Sequence, residues 1–306
     1  MSDAAGSAVL PAAGAARAAE PTRVPLWRRL VRNRNVAIGA VLLALLLAAA
    51  LLADALATHV PTRLDPGSRL EPPSARHLLG TDEFGRDLYS LVLHGARVSL
   101  LVGGVTMLLT TLGGTVIGLV AGYYRRLDLV VMRVMDGLMA FPAILLAIAL
   151  MAARGPGVWN VIIALSLVYM PRTALLTRST VLSLRELDYV QAARALGRRD
   201  LAVAFRHVLP NCLAPLLVQG TFIFAYAVLA EAILGFLGVG VPPYVPSWGN
   251  VIASGKNVIR EAFWVSLFPG IALTAAGLSL NLLGDGLRDT LDPRLRGAMS
   301  GSGTQP

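Results

Sequence analysis

"VAIGAVLLALLLAAALLADALA" occupies residues 36–57 and holds a single charged side chain, Asp54. At 1.5 Å of rise per residue, this run is long enough to cross the roughly 30 Å hydrocarbon core of a bilayer as one helix. A cleaved secretory leader would carry a shorter apolar stretch and an early cleavage site. The stretch is therefore read as a retained first membrane helix. Composition agrees with it. Of the 306 residues, 55% are hydrophobic and only 15% charged, where a soluble domain carries about a quarter. Mean hydropathy is +0.65. An ordinary soluble domain is excluded.

Further apolar segments lie near 98–122, 136–153, 160–178, 213–235 and 262–286. Several contain Gly, Pro or a polar residue, which membrane helices tolerate when neighbours satisfy the backbone. The expectation is an all-α integral membrane protein with six transmembrane helices. An even number puts both termini on one side. With the N-terminus inside, segments 1–35, 123–135, 172–212 and 287–306 hold 19 of the 27 Lys and Arg residues. The outer segments 54–97, 154–159 and 236–261 hold the other 8. Cytoplasmic loops collect positive charge, so both termini are expected in the cytoplasm. The same distribution accounts for the net charge of +9 without a nucleic-acid partner.

The expected organisation is a largely disordered cytoplasmic tail (1–35), a first helix with an outer loop (36–97), a five-helix core (98–290) containing a long cytoplasmic loop (179–212), and a cytoplasmic tail (291–306). The single cysteine, Cys212, rules out an intramolecular disulfide framework and a multi-cysteine metal site, and is expected as a small buried apolar residue. His59, His77, His94 and His207 fall on different segments without ligand spacing, so no metal site is expected.

Inside the long loop, "YVQAARALGRRDLAVAFRHVLPN" (189–211) interrupts the hydrocarbon with small and basic residues. It reads as two short helices around a break. Gly197 is placed to end the first in a left-handed turn, Asp200 to cap the second, and Pro210 to stop it. Ala192, Ala193 and Leu196 are expected on one face, whose small side chains admit close approach by another protein. Arg194, Arg198, Arg199 and Arg206 offer positive charge to anionic lipid or acidic groups. A solvated loop that serves only the topology is the alternative.

The spacing Gln191-Ala192-Ala193, Gly197, His207, Leu209-Pro210 resembles the signature loop of bacterial ABC importer permeases. Gln191 stands where the family has Glu, and His207 where it has a hydrophobe. The second departure resembles the dipeptide, oligopeptide and nickel branch. "HLLGTDEFGRDLYS" (77–90), "GARVSLLVG" (95–103), "EAILGFLGVGVPPYVPSWG" (231–249), "FPG" (268–270) and "NLLGDGLRDTLDPRLR" (281–296) are similar to motifs of that branch. "YYRRLD" (123–128) departs from its usual Gly-Gly and is read as loop variation without functional weight. The resemblance covers about residues 27–296 and is to the second, C-type permease subunit.

The resemblance implies an ABC type I importer permease fold in the bacterial inner membrane. It implies a heterodimer with a second permease subunit, one or two cytoplasmic ATPase subunits docked on loop 179–212, an extracytoplasmic solute-binding protein, and surrounding lipid. The implied substrate is a dipeptide or oligopeptide, with a nickel chelate or glutathione as the alternative. ATP and Mg would be bound by the ATPase partners. This chain has no Gly-x-x-x-x-Gly-Lys-Ser/Thr segment, so no cofactor of its own and no catalytic residue are expected. "GGVTMLLTTLGG" (103–114) has the glycines without the lysine, which suits helix packing.

Other residues compete for a role. Glu231, deep in the fifth span, reads either as a pathway residue or as a helix-packing hydrogen bond. Asp82, Arg86 and Asp87 of "GTDEFGRD" (80–87) read as an outer gate or docking element, or as a turn that starts an interfacial helix. Asp136 and Asp285 are expected to cap helices or to pair with Arg133 or Arg288. A function of another class, an ion-coupled carrier, would need several intramembrane carboxylates or an inverted repeat. One strong candidate, Glu231, and no clear repeat are found. An intramembrane protease has no support, because Lys256 lies outside the spans and no paired Gly-x-x-x-Asp elements occur.

Overall fold

A computed structural model describes residues 30–291. Most of the expected N-terminal tail and nearly all of the expected C-terminal tail lie outside the described residues, as does the end of the 281–296 motif. Helix α1 (Arg34–Leu51) starts at Asn33, whose side-chain oxygen accepts from the Asn35 amide at 2.9 Å, and a short α2 (Ala53–Leu56) follows. After an irregular segment come α3 (Leu88–Tyr123), α4 (Arg125–Met139), α5 (Ala143–Arg154), α6 (Val158–Leu184), α7 (Asp188–Ala195), α8 (Asp200–Val203), α9 (Leu209–Phe236), α10 (Trp248–Ser254) and α11 (Trp264–Leu291). Backbone groups thus pair within their own segment, the arrangement hydrocarbon requires.

Among the described residues, five helical runs are long and apolar enough to cross a membrane: α1, α3, α6, the Ala204–Phe236 run that contains α9, and α11. The third expected span, 136–153, is not one helix. The chain bends by 93° between α4 and α5. Pro142 explains the break, because a proline disfavours helical geometry at the residue before it and removes a backbone donor. The 12 residues of α5 reach about 18 Å, short of the hydrocarbon thickness. A sixth crossing therefore exists only if α4 and α5 are taken together as one bent unit.

The bundle is held at close range by glycine. Gly114, Gly118 and Gly122 recur every fourth residue on α3 and form one stripe facing α6. A methyl group at Gly114 would sit 2.6 Å from Thr173 Cβ, and one at Gly122 would sit 2.8 Å from Val181 Cβ. At Gly118 it would meet the Ala174 carbonyl oxygen and lie 3.0 Å from the Arg178 amide nitrogen. The two backbones touch here. Gly103, expected as a packing residue, meets Val228 and Phe224 of α9, and Gly39 of α1 lies against the Ser279 carbonyl of α11. Between these seams, Val102, Met151, Ile162, Leu165, Ile223 and Leu234 fill the core.

Connecting segments collect at two ends. At one, Asn33 donates to the Gly286 carbonyl at 3.3 Å, and Arg185 donates to the Gly122 carbonyl at 3.2 Å. At the other, Gly157 N donates to Gly240 O at 3.3 Å, and Trp264 Nε1 donates to Thr81 O at 3.3 Å. Both ends of the described chain lie at the first of these.

Gly118→Val is expected to lower the thermal stability and monodisperse yield of the detergent-purified chain, because overpacking costs about 1–3 kcal/mol even where side chains can shift and here it meets backbone. Gly137→Ala, with nothing within 4 Å of its Cβ position, is expected to leave both unchanged. Equal behaviour of the two variants in a thermal melt would refute the glycine seam.

Candidate functional site: a helical hairpin and a polar cap

The hairpin at 188–212 is built as a rigid unit. α7 ends at Ala195, and Gly197 adopts φ +75°. Its amide donates to Arg194 O at 2.9 Å and the Arg198 amide donates to Ala193 O at 3.3 Å, the pairing of a Schellman cap. The expected left-handed turn is present. Beneath it Val190, Ala193, Val203, Ala204, Val208 and Cys212 are buried against Leu119 of α3 and Val181 of α6. Cys212 is fully buried, as expected of a small apolar residue.

Two expectations for the hairpin are corrected. Ala193 does not share an outward face with Ala192 and Leu196: it is buried in this apolar floor, while Ala192 is exposed and Leu196 is 84% exposed. Adjacent residues on a helix point about 100° apart, and the apolar seam took Ala193. Pro210 does not stop the second helix. It sits in the first turn of α9, and the chain reaches it from α8 through a π-helical turn, Ala204–Val208, a change of hydrogen-bond register that accommodates a residue without an amide. The hairpin's second arm is thus continuous with a membrane span.

Tyr123, given no weight in the sequence, is the clasp. Its hydroxyl accepts from Arg194 Nε at 3.3 Å and donates to Asp200 Oδ1 at 3.3 Å, and the Arg194 guanidinium lies 4.9 Å from the ring centroid. Asp200 therefore opens α8 with its side chain turned to the clasp. Arg178 pairs with Asp128 of α4, its Nη2 donating at 2.7 Å, so α4 is tied to α6 beside the hairpin. Gln191 Nε2 donates to Glu186 O at 3.2 Å, which leaves its face outward. His207 O accepts from Asn211 Nδ2 at 2.8 Å, and Leu209 opens α9. Asp136 and Asp285 form no ion pair among the described residues, with Arg133, Arg288 or otherwise.

At the opposite end, Asp82 and Arg86 spend polar atoms on each other within the turn, and Asp87 spends its own at the start of α3. Asp82 Oδ1 accepts from the Phe84 and Arg86 amides, each at 2.9 Å, while Oδ2 accepts from Arg86 Nε at 2.7 Å. Asp87 caps α3: its Oδ2 accepts from the Ser90 amide at 2.9 Å and from Ser90 Oγ at 2.7 Å. Burial raises the Asp87 carboxyl, but hydrogen bonds from Ser90, His77 and Thr58 outweigh it and hold it below its ordinary value. Glu83 and Phe84 remain at the surface of the turn. Glu231 is fully buried, and its Oε2 accepts from Ser99 Oγ at 2.7 Å. Ser99 Oγ in turn accepts from the Trp248 amide at 3.2 Å, so Glu231 joins α9, α3 and α10. Ser99, Trp248 and Asn250, whose side chain donates to the carbonyls of Val241, Pro242 and Val245 at 2.9–3.2 Å, had no distinguishing sequence signal beyond their motif.

The histidines do not stay apart. His59 and His77 approach with ring centroids 4.8 Å apart, and His77 Nδ1 contacts Asp87 Oδ1 at 2.9 Å. Sequence spacing gave no sign of it, because 18 residues and an irregular path separate the rings.

A bundle of long apolar helices, with a helical hairpin continuous with one of the spans, defines an integral membrane protein. The family described as "Binding-protein-dependent transport system inner membrane component" matches residues 114–297, and "N-terminal TM domain of oligopeptide transport permease C" matches residues 25–73. The chain belongs to this family of ABC transporter permeases, multi-pass proteins of the inner membrane whose ATPase resides in separate subunits. It is 54% identical over 269 residues to a putative peptide transport system permease protein of Brucella abortus, covering 88% of this chain and 91% of that one. It is 41% identical over 280 residues to the dipeptide transport system permease protein DppC of Alkalihalophilus pseudofirmus, covering 90% and 92%. The glutathione transport system permease protein GsiD of Pectobacterium atrosepticum is 39% identical over 272 residues, covering 88% and 90%.

Ala193→Asp is expected to loosen the hairpin, since a charge buried without a partner costs about 3 kcal/mol or more. Ala192→Asp, one residue away but exposed, is expected to leave it intact. Limited proteolysis of the folded chain at Arg194, Arg198 and Arg199 measures the difference; equal cleavage of both variants would contradict the buried placement of Ala193.

Proposed function

We propose that this permease conducts peptides, delivered by an extracytoplasmic solute-binding protein, through a pathway formed with a second, homologous permease subunit. The names of its relatives support the substrate class: peptide and dipeptide transport at 54% and 41% identity. A glutathione permease at 39% identity makes that tripeptide thiol the second candidate. Gln219, Phe222 and Arg288, which line a cavity of about 460 Å³ at the hairpin end, are candidates for contact with the passing solute.

The observation that carries the mechanism is the unbroken run from hairpin to span. The exposed surface formed by Tyr189, Gln191, Ala192, Leu196 and Phe205 docks in a cleft of an ATPase subunit, which binds and hydrolyses ATP with Mg. When the ATPases close, the push enters at α7, crosses the Gly197 cap and passes through Ala204–Val208 into α9. His207, Leu209 and Pro210 lie on this path, and Ala193 acts from beneath by keeping the hairpin rigid. Asp82, Arg86 and Asp87 hold the cap from which Glu83 and Phe84 meet the binding protein, and the Glu231–Ser99–Trp248 link couples movement of α9 to that cap. Both termini face the cytoplasm, the side richer in arginine.

Orientation is tested by cysteine labelling after Cys212→Ser. A cysteine at position 83 is expected to react from outside intact cells, and one at position 198 only after permeabilisation. Reaction at 198 in intact cells would reverse the orientation.

Coupling is tested by Gly197→Val against Arg198→Ala. The valine has open space around it, with nothing within 4 Å of the Cβ position. Its cost is backbone strain of about 1–2 kcal/mol at positive φ, together with a bulge on the docking surface. Substrate uptake and substrate-stimulated ATP hydrolysis are expected to fall together in the assembled complex, whereas loss of the exposed arginine costs well under about 1 kcal/mol. Normal transport by an inserted Gly197→Val protein would reduce the loop to a topology signal.

A further inference from the structure

We propose that His59, His77 and Asp87 form a binding site for a single divalent transition-metal ion of the zinc class, which clamps the polar cap to the end of the first span. One coordinating atom from each of the three residues falls within 4.8 Å of the other two. Two of the three separations suit a tetrahedral site. With metal–nitrogen and metal–oxygen bonds of about 2.0–2.2 Å, tetrahedral ligand atoms lie about 3.3–3.5 Å apart. Here Asp87 Oδ1 is 2.9 Å from His77 Nδ1 and 3.6 Å from His59 Nδ1, values that bracket this distance.

The site is sheltered. The His77 side chain is 5% exposed and turns its Nδ1 to Asp87, while its Nε2, on the far side of the ring, is buried. Both rings and the carboxylate line a cavity of about 230 Å³, ample for an ion and a water. The carboxylate is preset. Asp87 is held ionised and its other oxygen is fixed by Ser90 and Thr58, while His59 Nδ1 would exchange its 3.0 Å contact with Thr58 Oγ1 for the ion. Two imidazoles and one carboxylate suit borderline ions such as Zn²⁺ and not Mg²⁺ or Ca²⁺, which take oxygen donors. A fourth position stays open to the cavity. Arg63, Arg76 and Asp65 share that cavity and together leave the loaded site cationic, so water, hydroxide or a carboxylate would fill the fourth position.

Bound there, an ion would join His59, which follows α2, to the loop at His77 and to the N-terminal cap of α3. Ligand binding to the folded state alone raises stability, so the cap would be stiffer with metal present.

The test uses the full-length chain purified in detergent, with its affinity tag removed and chelator-treated. Zn²⁺ titration against a fluorescent competitor is expected to give one site per chain, and Co²⁺ is expected to give the intense visible absorption of a tetrahedral site. His59→Ala removes a half-exposed ligand and spares the Asp87–His77 contact that the fold uses. It is expected to weaken Zn²⁺ by more than the about 10–100-fold typical of losing an outer-sphere partner, and to abolish the zinc-induced rise in melting temperature. His94→Ala, whose ring contacts Asp54 and the Ser90 carbonyl, is expected to change neither. Absence of a stoichiometric site, unchanged binding in His59→Ala, or equal loss in His94→Ala would each overturn the proposal.

Discussion

The constraint on which this structure depends is the direct contact of two helix backbones in α3 and α6. Inside a bilayer, apolar side chains gain little by leaving lipid for protein, so helices are held by close packing and by the few hydrogen bonds available. Gly114, Gly118 and Gly122 let α3 approach the Thr173–Val181 face of α6 until backbone meets backbone. Around that seam the other helices find their places. α9 fits over Gly103, and α1 fits against α11 at Gly39. The hairpin then rests on the ends of the same two helices, at Leu119 and Val181. The hairpin is thus seated on the most closely spaced glycine seam described above.

The two ends of the bundle solve different problems. At the hairpin end, an apolar floor, a glycine cap and the Tyr123 clasp hold a short element in one shape, although α7 and α8 are too short to be stable alone. At the other end, stiffness comes from buried polar groups whose partners lie within a few residues or across one helix. Asp82 with Arg86, Asp87 with Ser90, and Glu231 with Ser99 are paired because an unpaired polar group at such burial would be costly. The acidic and basic residues of "GTDEFGRD" thus serve the shape of the turn, and its surface is left to Glu83 and Phe84. The proposed metal site would draw on one of these fixed carboxylates, Asp87, whose Oδ1 faces both His77 and His59.

Much of this was legible in the chain. Long apolar runs and the glycine after "QAARAL" are local signals, while the distribution of arginines among the loops is a sum along the chain. What failed did so for local reasons too. The run 136–153 has the hydropathy of a span, but Pro142 acts on backbone geometry and bends it, so that it crosses only as part of the α4–α5 pair. Pro210 was misread because a proline stops a helix from within and starts one from its first turn, and residues on either side do not say which. Tyr123 looked like loop variation because its partners, Arg194 and Asp200, are about 70 residues away.

Composition and apolar run length determined that the chain is helical and lies in a membrane, and the loop motif with its left-handed glycine determined the family and the turn of the hairpin. These follow from sequence alone because they depend on sums along the chain or on the conformational freedom of one residue. The tertiary structure decided that Ala193 faces inward and Ala192 outward, that Glu231 meets Ser99, and that His59 and His77 share one carboxylate. Such contacts depend on how each helix is rotated about its axis and how close its neighbour comes. Those quantities are set by packing between segments distant in sequence, at glycine seams where one methyl group would change them.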